Sequence, residues 1–380
     1  MLRVALRMLL GDTTKCLGLV FGIAFSTLLI CQQVSIFFGL LGRASSVVND
    51  VREANVWVMD PSVKTIDVPF PLRDTVLPRV RGIDGVAWAV PFFKANVQVR
   101  TRGGNLENAI IMGIDDASLI GVPDEFLLGS IEDLSMPDAI AVNPAGFRLL
   151  FPGEELDVGR TLELNDRRAK IVAIVDAAPA FAANLSIYTR YSLATSYTNN
   201  GRNQLSFVLA KAAEDEDPEA VAERIAAVTG LKAVTSKQLR WESIQYILAN
   251  TGIPVSFGTV VVLGAIIGVA IVGLTFNQFI MENLKQYAAL KAIGVRNSRL
   301  IVMTLGQALF IAVIGYGIGL LAAAFFFGGP AKNVDALRGF YLLPEVAISV
   351  AILAVVIVFL STFLSMRRVL VVDPATVFRG

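Results

Sequence analysis

Apolar residues in this chain gather into four nearly uncharged runs, and polar residues gather between them. The runs cover residues 17–41, 255–276, 300–327 and 346–365. Each is long enough to cross a hydrocarbon layer of about 30 Å as a helix, which takes about 20 residues. The first run competes with a cleaved signal peptide, whose apolar core is only about 7–15 residues before a small-residue cleavage site, so its length predicts an uncleaved span. Ahead of it Leu2, Leu6, Leu9 and Leu10 oppose Arg3 and Arg7, the pattern of a short amphipathic helix lying in a membrane interface. The pattern therefore predicts an interfacial helix (1–15), a first span (16–41), an insert (42–250), a second span (251–281), a linking segment (282–299), a third span (300–327), a short loop (328–345), a fourth span (346–366) and a tail (367–380).

The insert changes character. Pro, Asp, Arg and Asn become frequent, and short β-type runs are bounded by turn residues. Strands are expected at 55–59, 86–92, 95–100, 109–113, 139–142, 161–164, 170–175, 186–189, 205–210 and 232–234, with helices at 72–79, 145–150, 193–198 and 218–228. Pro218, just after the acidic run Glu214, Asp215, Glu216 and Asp217, suits a helix start; the acids themselves read as a solvated cap. Two strand-helix-strand units, 55–92 and 205–234, flank a strand-rich middle, which suits an α+β unit built from both ends of the insert around a second subdomain. A helix over 236–249 then leads back to the membrane. The fold class expected is an α-helical membrane protein of four transmembrane helices, with a large α+β extracytoplasmic domain inserted between helices 1 and 2.

Between the second and third runs lies Glu282-Asn-Leu-Lys-Gln-Tyr-Ala-Ala-Leu-Lys-Ala-Ile-Gly-Val-Arg-Asn-Ser-Arg299. Leu284, Tyr287, Ala288 and Leu290 recur at helical spacing, Gly294 stands where a helix stop needs a left-handed residue, and Asn297 or Ser298 suits the cap of the next helix. Two readings follow: a short surface helix that another protein grips, or an ordinary basic loop. Tyr287 and Leu290, three apart, would share one helix face and supply its apolar contact.

The run from Lys285 to Arg296 resembles the signature after the second span of FtsX-like, MacB-type ABC transporter permeases, with Leu290, Lys291, Ala292, Ile293 and Gly294 matching it. Gln286 stands where an acidic residue is usual, which resembles the heterocyst-type, DevC-like exporter branch. The ending Asp373-Pro-Ala-Thr-Val-Phe-Arg379 is similar to the family's proline-alanine-apolar-arginine tail. The resemblance implies a homodimer in a bacterial inner membrane, bound to two copies of an ATPase that holds the ATP and Mg, with no cofactor in this chain. It also implies that the ATPase grips Glu282, Lys285, Tyr287, Leu290, Lys291 and Gly294. Outside, it implies a periplasmic adaptor protein and an outer-membrane channel, in a tripartite efflux or lipid or glycolipid export system. FtsX itself implies the alternative, a scaffold that regulates a periplasmic cell-wall enzyme without transport.

Composition narrows the chemistry. The chain of 380 residues is 54% hydrophobic and 17% charged, with net charge +1, so nothing argues for nucleic-acid binding. Mean hydropathy is +0.63. Without histidine there is no Ser-His-Asp triad, Cys-His dyad or histidine metal ligand. Cys16 and Cys31 stand about 22 Å apart on one helix and cannot pair within the chain. No G-x-x-x-x-G-K-[ST] loop occurs, and Asp115-Asp116 and Glu154-Glu155 lack calcium-loop spacing. No span has a charged centre, which disfavours an ion-coupled carrier and favours a mechanical role. Three small-xxx-small pairs, Gly18 and Gly22, Gly264 and Gly268, Gly315 and Gly319, allow close helix contact, in a dimer or within one bundle. Arg3, Arg7 and Lys15, then Lys285, Lys291, Arg296 and Arg299, then Arg367, Arg368 and Arg379 fall on one side, against Lys332 and Arg338 on the other. The positive-inside rule thus expects both termini and residues 282–299 in the cytoplasm, beside membrane lipid, and the insert outside.

Overall fold

The computed structural model describes residues 2–371 apart from 102, 182, 199–203, 335–336 and 338–339; the Asp373–Arg379 ending that resembles the family's tail lies outside the described residues. The chain divides into two compact units, Met1–Phe38 with Gly252–Gly380, and Gly39–Thr251.

The first unit opens with α1 (Leu2–Gly11) and α2 (Thr13–Arg43). The second unit begins with α3 (Ser46–Asp50), β1 (Val56–Met59), β2 (Leu72–Arg73), α4 (Val76–Arg81) and the long β3 (Val86–Arg100). It continues through β4 (Leu106–Ile114), β5 (Phe126–Leu128), β6 (Ala139–Val142), α5 (Pro144–Leu150), β7 (Thr161–Leu164), β8 (Arg167–Val175), β9 (Leu185–Arg190) and α6 (Tyr191–Ser196). It closes with β10 (Gln204–Leu205), β11 (Phe207–Ala212), α7 (Pro218–Thr229), β12 (Lys232–Thr235) and α8 (Ser236–Asn250). The first unit then resumes with α9 (Ile253–Glu282), α10 (Leu284–Ala292), α11 (Asn297–Gly328) and α12 (Pro344–Val371).

In the second unit one sheet runs β12-β1-β11-β3-β4-β9-β6-β8-β5, with β7 pairing both β3 and β8. Strand β3 makes it continuous: its first half pairs with β11 and its second half, from Phe93 to Arg100, pairs with β4. The two strands expected at 86–92 and 95–100 are therefore one. The reason lies at Lys94, a charge in an apolar run that reads as a break; its side chain is buried and ion-paired to Asp67 at 2.7 Å. The helix expected at 72–79 is replaced by β2, paired with β10, and by α4 two residues later. Leu72 and Val76 have helical spacing and both are buried, but Leu72 is buried in a sheet. Helices α4 and α7 cover β1 and β11 through Val76, Val80, Val221 and Ile225, which gives the two outer strand-helix-strand units a core of their own.

Helix α5 starts where Asn143, wholly buried, accepts at Oδ1 from the Gly146 and Ser186 amides at 3.2 and 3.0 Å and donates through Nδ2 to Asn184 O at 2.9 Å. Asp217 caps α7 by accepting from the Glu219 amide at 3.3 Å, and Thr235 with Gln238 forms a capping box that starts α8.

In the first unit α2, α9, α11 and the stretch Pro344–Phe363 of α12 are long and apolar enough to cross a membrane. Side-chain hydroxyls stitch these helices to each other's backbone. Ser26 donates to Gly264 O at 2.8 Å, Ser361 to Val269 O and Ser365 to Gly273 O at 3.3 Å, and Tyr316 to Ala347 O at 2.9 Å. Such bonds and close backbone approach, rather than water exclusion, hold helices together in lipid.

Candidate functional site

Helix α9 stops at Asn283, which is buried and acts in both directions. Its amide and Nδ2 donate to Phe279 O at 3.1 and 2.8 Å, and its own carbonyl accepts from the Gln286 and Tyr287 amides at 3.0 and 3.1 Å. One residue thus ends α9 and starts α10. At the far end Gly294 has φ +94°, the Gly294 amide donates to Lys291 O at 2.9 Å and the Val295 amide to Leu290 O at 3.0 Å. These are the two bonds of a Schellman stop, which needs the left-handed residue that only glycine adopts freely. Neither Asn297 nor Ser298 caps the next helix: Arg296 holds the extended cap position without a side-chain bond, and both polar residues already lie in the first turn of α11.

The faces of α10 are sharply divided. Ala288 is fully buried, and Tyr287, 1% exposed, belongs to a cluster with Leu9 of α1, Phe276, Phe279 and Ile280 of α9, and Leu300 and Met303 of α11. The Tyr287 hydroxyl donates to Gln307 Oε1 of α11 at 3.3 Å. Leu290 packs partly buried against the same cluster. The face on which Tyr287 and Leu290 were expected to meet a partner is therefore turned into the protein's own bundle. An apolar stripe at helical spacing says that a face is buried, not what buries it.

Outward stand Lys285, Gln286, Ala292 and Ile293, the last 80% exposed; Lys291 is half-buried. Ile293 belongs to the sequence signature but not to the expected contact residues, because it reads as the last residue before a glycine stop. The signal that would have found it is that position: the turn after a helix end lifts its side chain clear of the packed face. Glu282 accepts from Lys15 of α2 across the bundle.

The six paired glycines all face helices of the same chain. A Cβ on Gly22 would stand 2.6 Å from Ile271, on Gly268 2.7 Å from Ser26, on Gly315 2.7 Å from Ile23 and on Gly319 2.5 Å from the Ala24 carbonyl. Gly18 and Gly264 meet Thr275 and Ile30 at 3.6 and 3.3 Å. Of the two expected uses, close contact within one bundle is the one observed.

Among the described residues of the second unit, Lys94 with Asp67 and Tyr188 with Asp50 form ionisable pairs largely withdrawn from solvent. Lys94 donates to Asp67 and to Ile66 O at 3.0 Å; burial pushes its ammonium below the usual lysine range, and Asp67 opposes that. Tyr188 donates to Asp50 at 3.1 Å. Burial pushes the Asp50 carboxyl up to about 7, against the Tyr188 bond, with Asp176 adding to the rise. Among the described residues no group of three or more Cys, Asp or Glu side chains is placed to hold a metal.

The description "MacB-like periplasmic core domain" matches residues 16–228, more than half of the chain, and "FtsX-like permease C-terminal" matches residues 258–374. Uncharacterized ABC transporter permeases of Mycobacterium bovis and Mycobacterium tuberculosis are 27% identical over 82% of this chain and 80% of their own length. Among solved structures, the periplasmic region of MacB from Actinobacillus actinomycetemcomitans aligns with 54% of this chain and 97% of its own, at 12% identity and TM-score 0.38. The extracellular domain of the noncanonic ABC-type transporter YknZ from Gram-positive bacteria aligns with 48% of this chain and 98% of its own, at 14% identity and TM-score 0.35.

Proposed function

The chain belongs to the FtsX-like, MacB-type ABC transporter permeases, multi-pass membrane subunits that work with an ATPase, and from that premise we propose that it is the membrane subunit of an exporter that passes ATP-driven motion from α10 to the inserted domain. The observation that carries this reading is how α10 is held. It is a separate helix, bonded to α11 through Tyr287 and packed on α1 and α9, while its other face is open. A push on the open face would be delivered to three helices at once.

ATP and Mg belong to the partner ATPase in this reading, since residues 1–380 contain no phosphate loop. The partner would take Ile293 as its apolar anchor, with Lys285 and Gln286 at the rim; one or two buried aliphatic anchors usually dominate such an interface. Two copies of the chain, a periplasmic adaptor and an outer-membrane channel complete the proposed assembly, with a lipid-like or other hydrophobic substrate. The paired glycines lend the dimer no support, because each is already occupied within the chain. The basic residues of α10 and its flanks support a cytoplasmic position for it.

The test is co-purification of the ATPase with the full chain, followed by ATP turnover and substrate movement in reconstituted vesicles. Ile293→Asp should lower ATPase capture by at least tenfold, because a carboxylate buried in the cleft loses its hydration; roughly 2 kcal/mol is a common hot-spot loss. Lys285→Ala should have a milder, salt-sensitive effect. Normal capture by Ile293→Asp would remove α10 as the docking site. Stimulated ATP turnover without movement of any lipid or hydrophobic solute would favour the regulatory scaffold instead.

A further inference from the structure

Lys15 lies in the first turn of α2, and its ammonium has two acceptors. It bonds Asp12 at 2.6 Å, and it bonds the carboxylate of Glu282, the last residue of α9. Gln278 donates to the other Glu282 oxygen at 3.3 Å. The Lys15 side chain is 13% exposed. The Glu282 side chain is 52% exposed, so the pair is sheltered on the Lys15 side alone and stays partly open to salt screening.

This pair continues a seam between two spans. Phe37 stands against Phe257, Ile30 and Ser26 against Gly264, Ser26 against Gly268, Gly22 against Ile271, and Gly18 against Thr275. As numbers rise along α2 they fall along α9, so the two helices are antiparallel, and the long Lys15 side chain reaches Glu282 about one helix turn beyond the position that this register sets opposite it. The same two helices carry the chain into and out of the Gly39–Thr251 unit. Helix α10 begins immediately after Glu282.

We propose that Lys15 is a positioning residue for coupling: by holding Glu282 it closes the seam between α2 and α9 at the end where α10 begins, so that a displacement of α10 moves both spans rather than α9 alone. The transmission part rests on the proposed docking of an ATPase on α10; the closing of the seam does not. Glu282, which the family resemblance gives to the ATPase contact, acts inside the chain in this account. Lys285 and Lys291, the other lysines of the segment, do not replace Lys15 here, since the bond to Glu282 comes from α2.

The test uses the full chain with Cys16→Ala and Cys31→Ala, reconstituted in lipid vesicles. One cysteine pair, Gly18→Cys with Thr275→Cys, reports the seam near Lys15. A second, Ile30→Cys with Gly264→Cys, reports it farther along. Lys15→Glu should slow oxidative cross-linking of the near pair by roughly fivefold, the factor that corresponds to ~1 kcal/mol for a partly exposed ion pair, and leave the far pair unchanged. Lys15→Glu with Glu282→Lys should recover most of the rate, and Lys15→Arg should keep it. With the ATPase added, Lys15→Glu should capture it like wild type but lose the ATP-dependent change of a fluorophore on Val228→Cys. Unchanged near-pair cross-linking in Lys15→Glu, or no recovery on charge exchange, overturns the latch. A normal ATP response in Lys15→Glu overturns its role in transmission. Failure of the wild type to capture ATPase would overturn the docking reading instead, and the cross-linking result would still decide the latch.

Discussion

What a glycine is worth in this bundle depends on the atom standing where its Cβ would be. At Gly319 that atom is a backbone oxygen, Ala24 O, at 2.5 Å, and backbone cannot step aside. At Gly264 it is the end of the Ile30 side chain at 3.3 Å, which can, and around Gly317 there is nothing within 4 Å. Gly319→Ala should therefore cost about 1–3 kcal/mol of overpacking, while Gly317→Ala should be close to neutral. Thermal unfolding of the detergent-purified chain should rank them so, and light scattering should give the same oligomer size for both, since the contact lies within one chain. A change of oligomer size in Gly319→Ala alone would move that glycine to a subunit interface. Asp50 makes a second case. Its carboxyl, pushed up to about 7 from 3.8 by burial, stays protonated in the folded domain while the unfolded chain ionises. The folded state then binds the extra proton, so this group's contribution to stability is full below pH 3.8, falls as pH rises between 3.8 and about 7, and is lost above that. Asp50→Asn should flatten this slope and stabilise the domain at alkaline pH, keeping an acceptor for Tyr188. All three tryptophans, Trp57, Trp88 and Trp241, lie in the inserted unit, so intrinsic fluorescence during unfolding reads that unit alone. An unchanged slope in Asp50→Asn would mean that other carboxylates carry the pH dependence.

At the scale of the element, α10 is held to α11 at the Tyr287 hydroxyl, by Gln307 and by Thr304, and to the spans by a cluster of apolar side chains. Gln307→Leu should take away the acceptor of the buried Tyr287 O–H and leave only Thr304 beside it, at a cost of about 1 kcal/mol, whereas Tyr287→Phe with Gln307→Leu removes donor and acceptor together and should recover much of that loss. Hydrogen exchange over residues 284–292 measures it: faster exchange in the single variant, near wild-type exchange in the double. Equal exchange in all three would show that the apolar cluster alone holds the helix. The C-terminal end of α10 was legible in the sequence because it rests on local chemistry, the glycine stop, whereas its start at Asn283 was not anticipated. The direction of its apolar face was not, because Tyr287 and Leu290 bury themselves against residues as distant in sequence as Leu9. Strand β3 shows the same limit: Lys94 reads as a turn until Asp67, from another segment, neutralises it in the core. The short strands β2, β5 and β10 were missed because two or three residues carry no periodicity. Gln286, the residue behind the DevC-like expectation, stands on the exposed face of α10, where little in the chain's own packing constrains its identity.

For the whole molecule the antiparallel seam of α2 and α9 has a topological consequence. The helices meet with Lys15 and Glu282 at one end and Phe37 and Phe257 at the other. Helix α1 and helix α10 therefore join the same end of this helix pair, and the chain leaves for the insert after α2 and returns from it before α9 at the other end. This agreement of contacts and charge is stronger than either alone, because basic residues could obey the positive-inside rule without the spans being paired. Which face is cytoplasmic rests on the charges: Lys285, Lys291, Arg296 and Arg299 cluster between α9 and α11. Impermeant thiol labelling tests it on the chain with Cys16→Ala and Cys31→Ala. Val228 and Ser298 are both exposed, so Val228→Cys and Ser298→Cys are equally open to a reagent that can reach their side. With the inner membrane intact, labelling should occur at Val228→Cys and appear at Ser298→Cys only after lysis. The reverse pattern would invert the molecule and take α10 out of reach of any cytoplasmic ATPase. Labelling of both before lysis would place both on the outer face, which the antiparallel pairing of α2 with α9 does not allow.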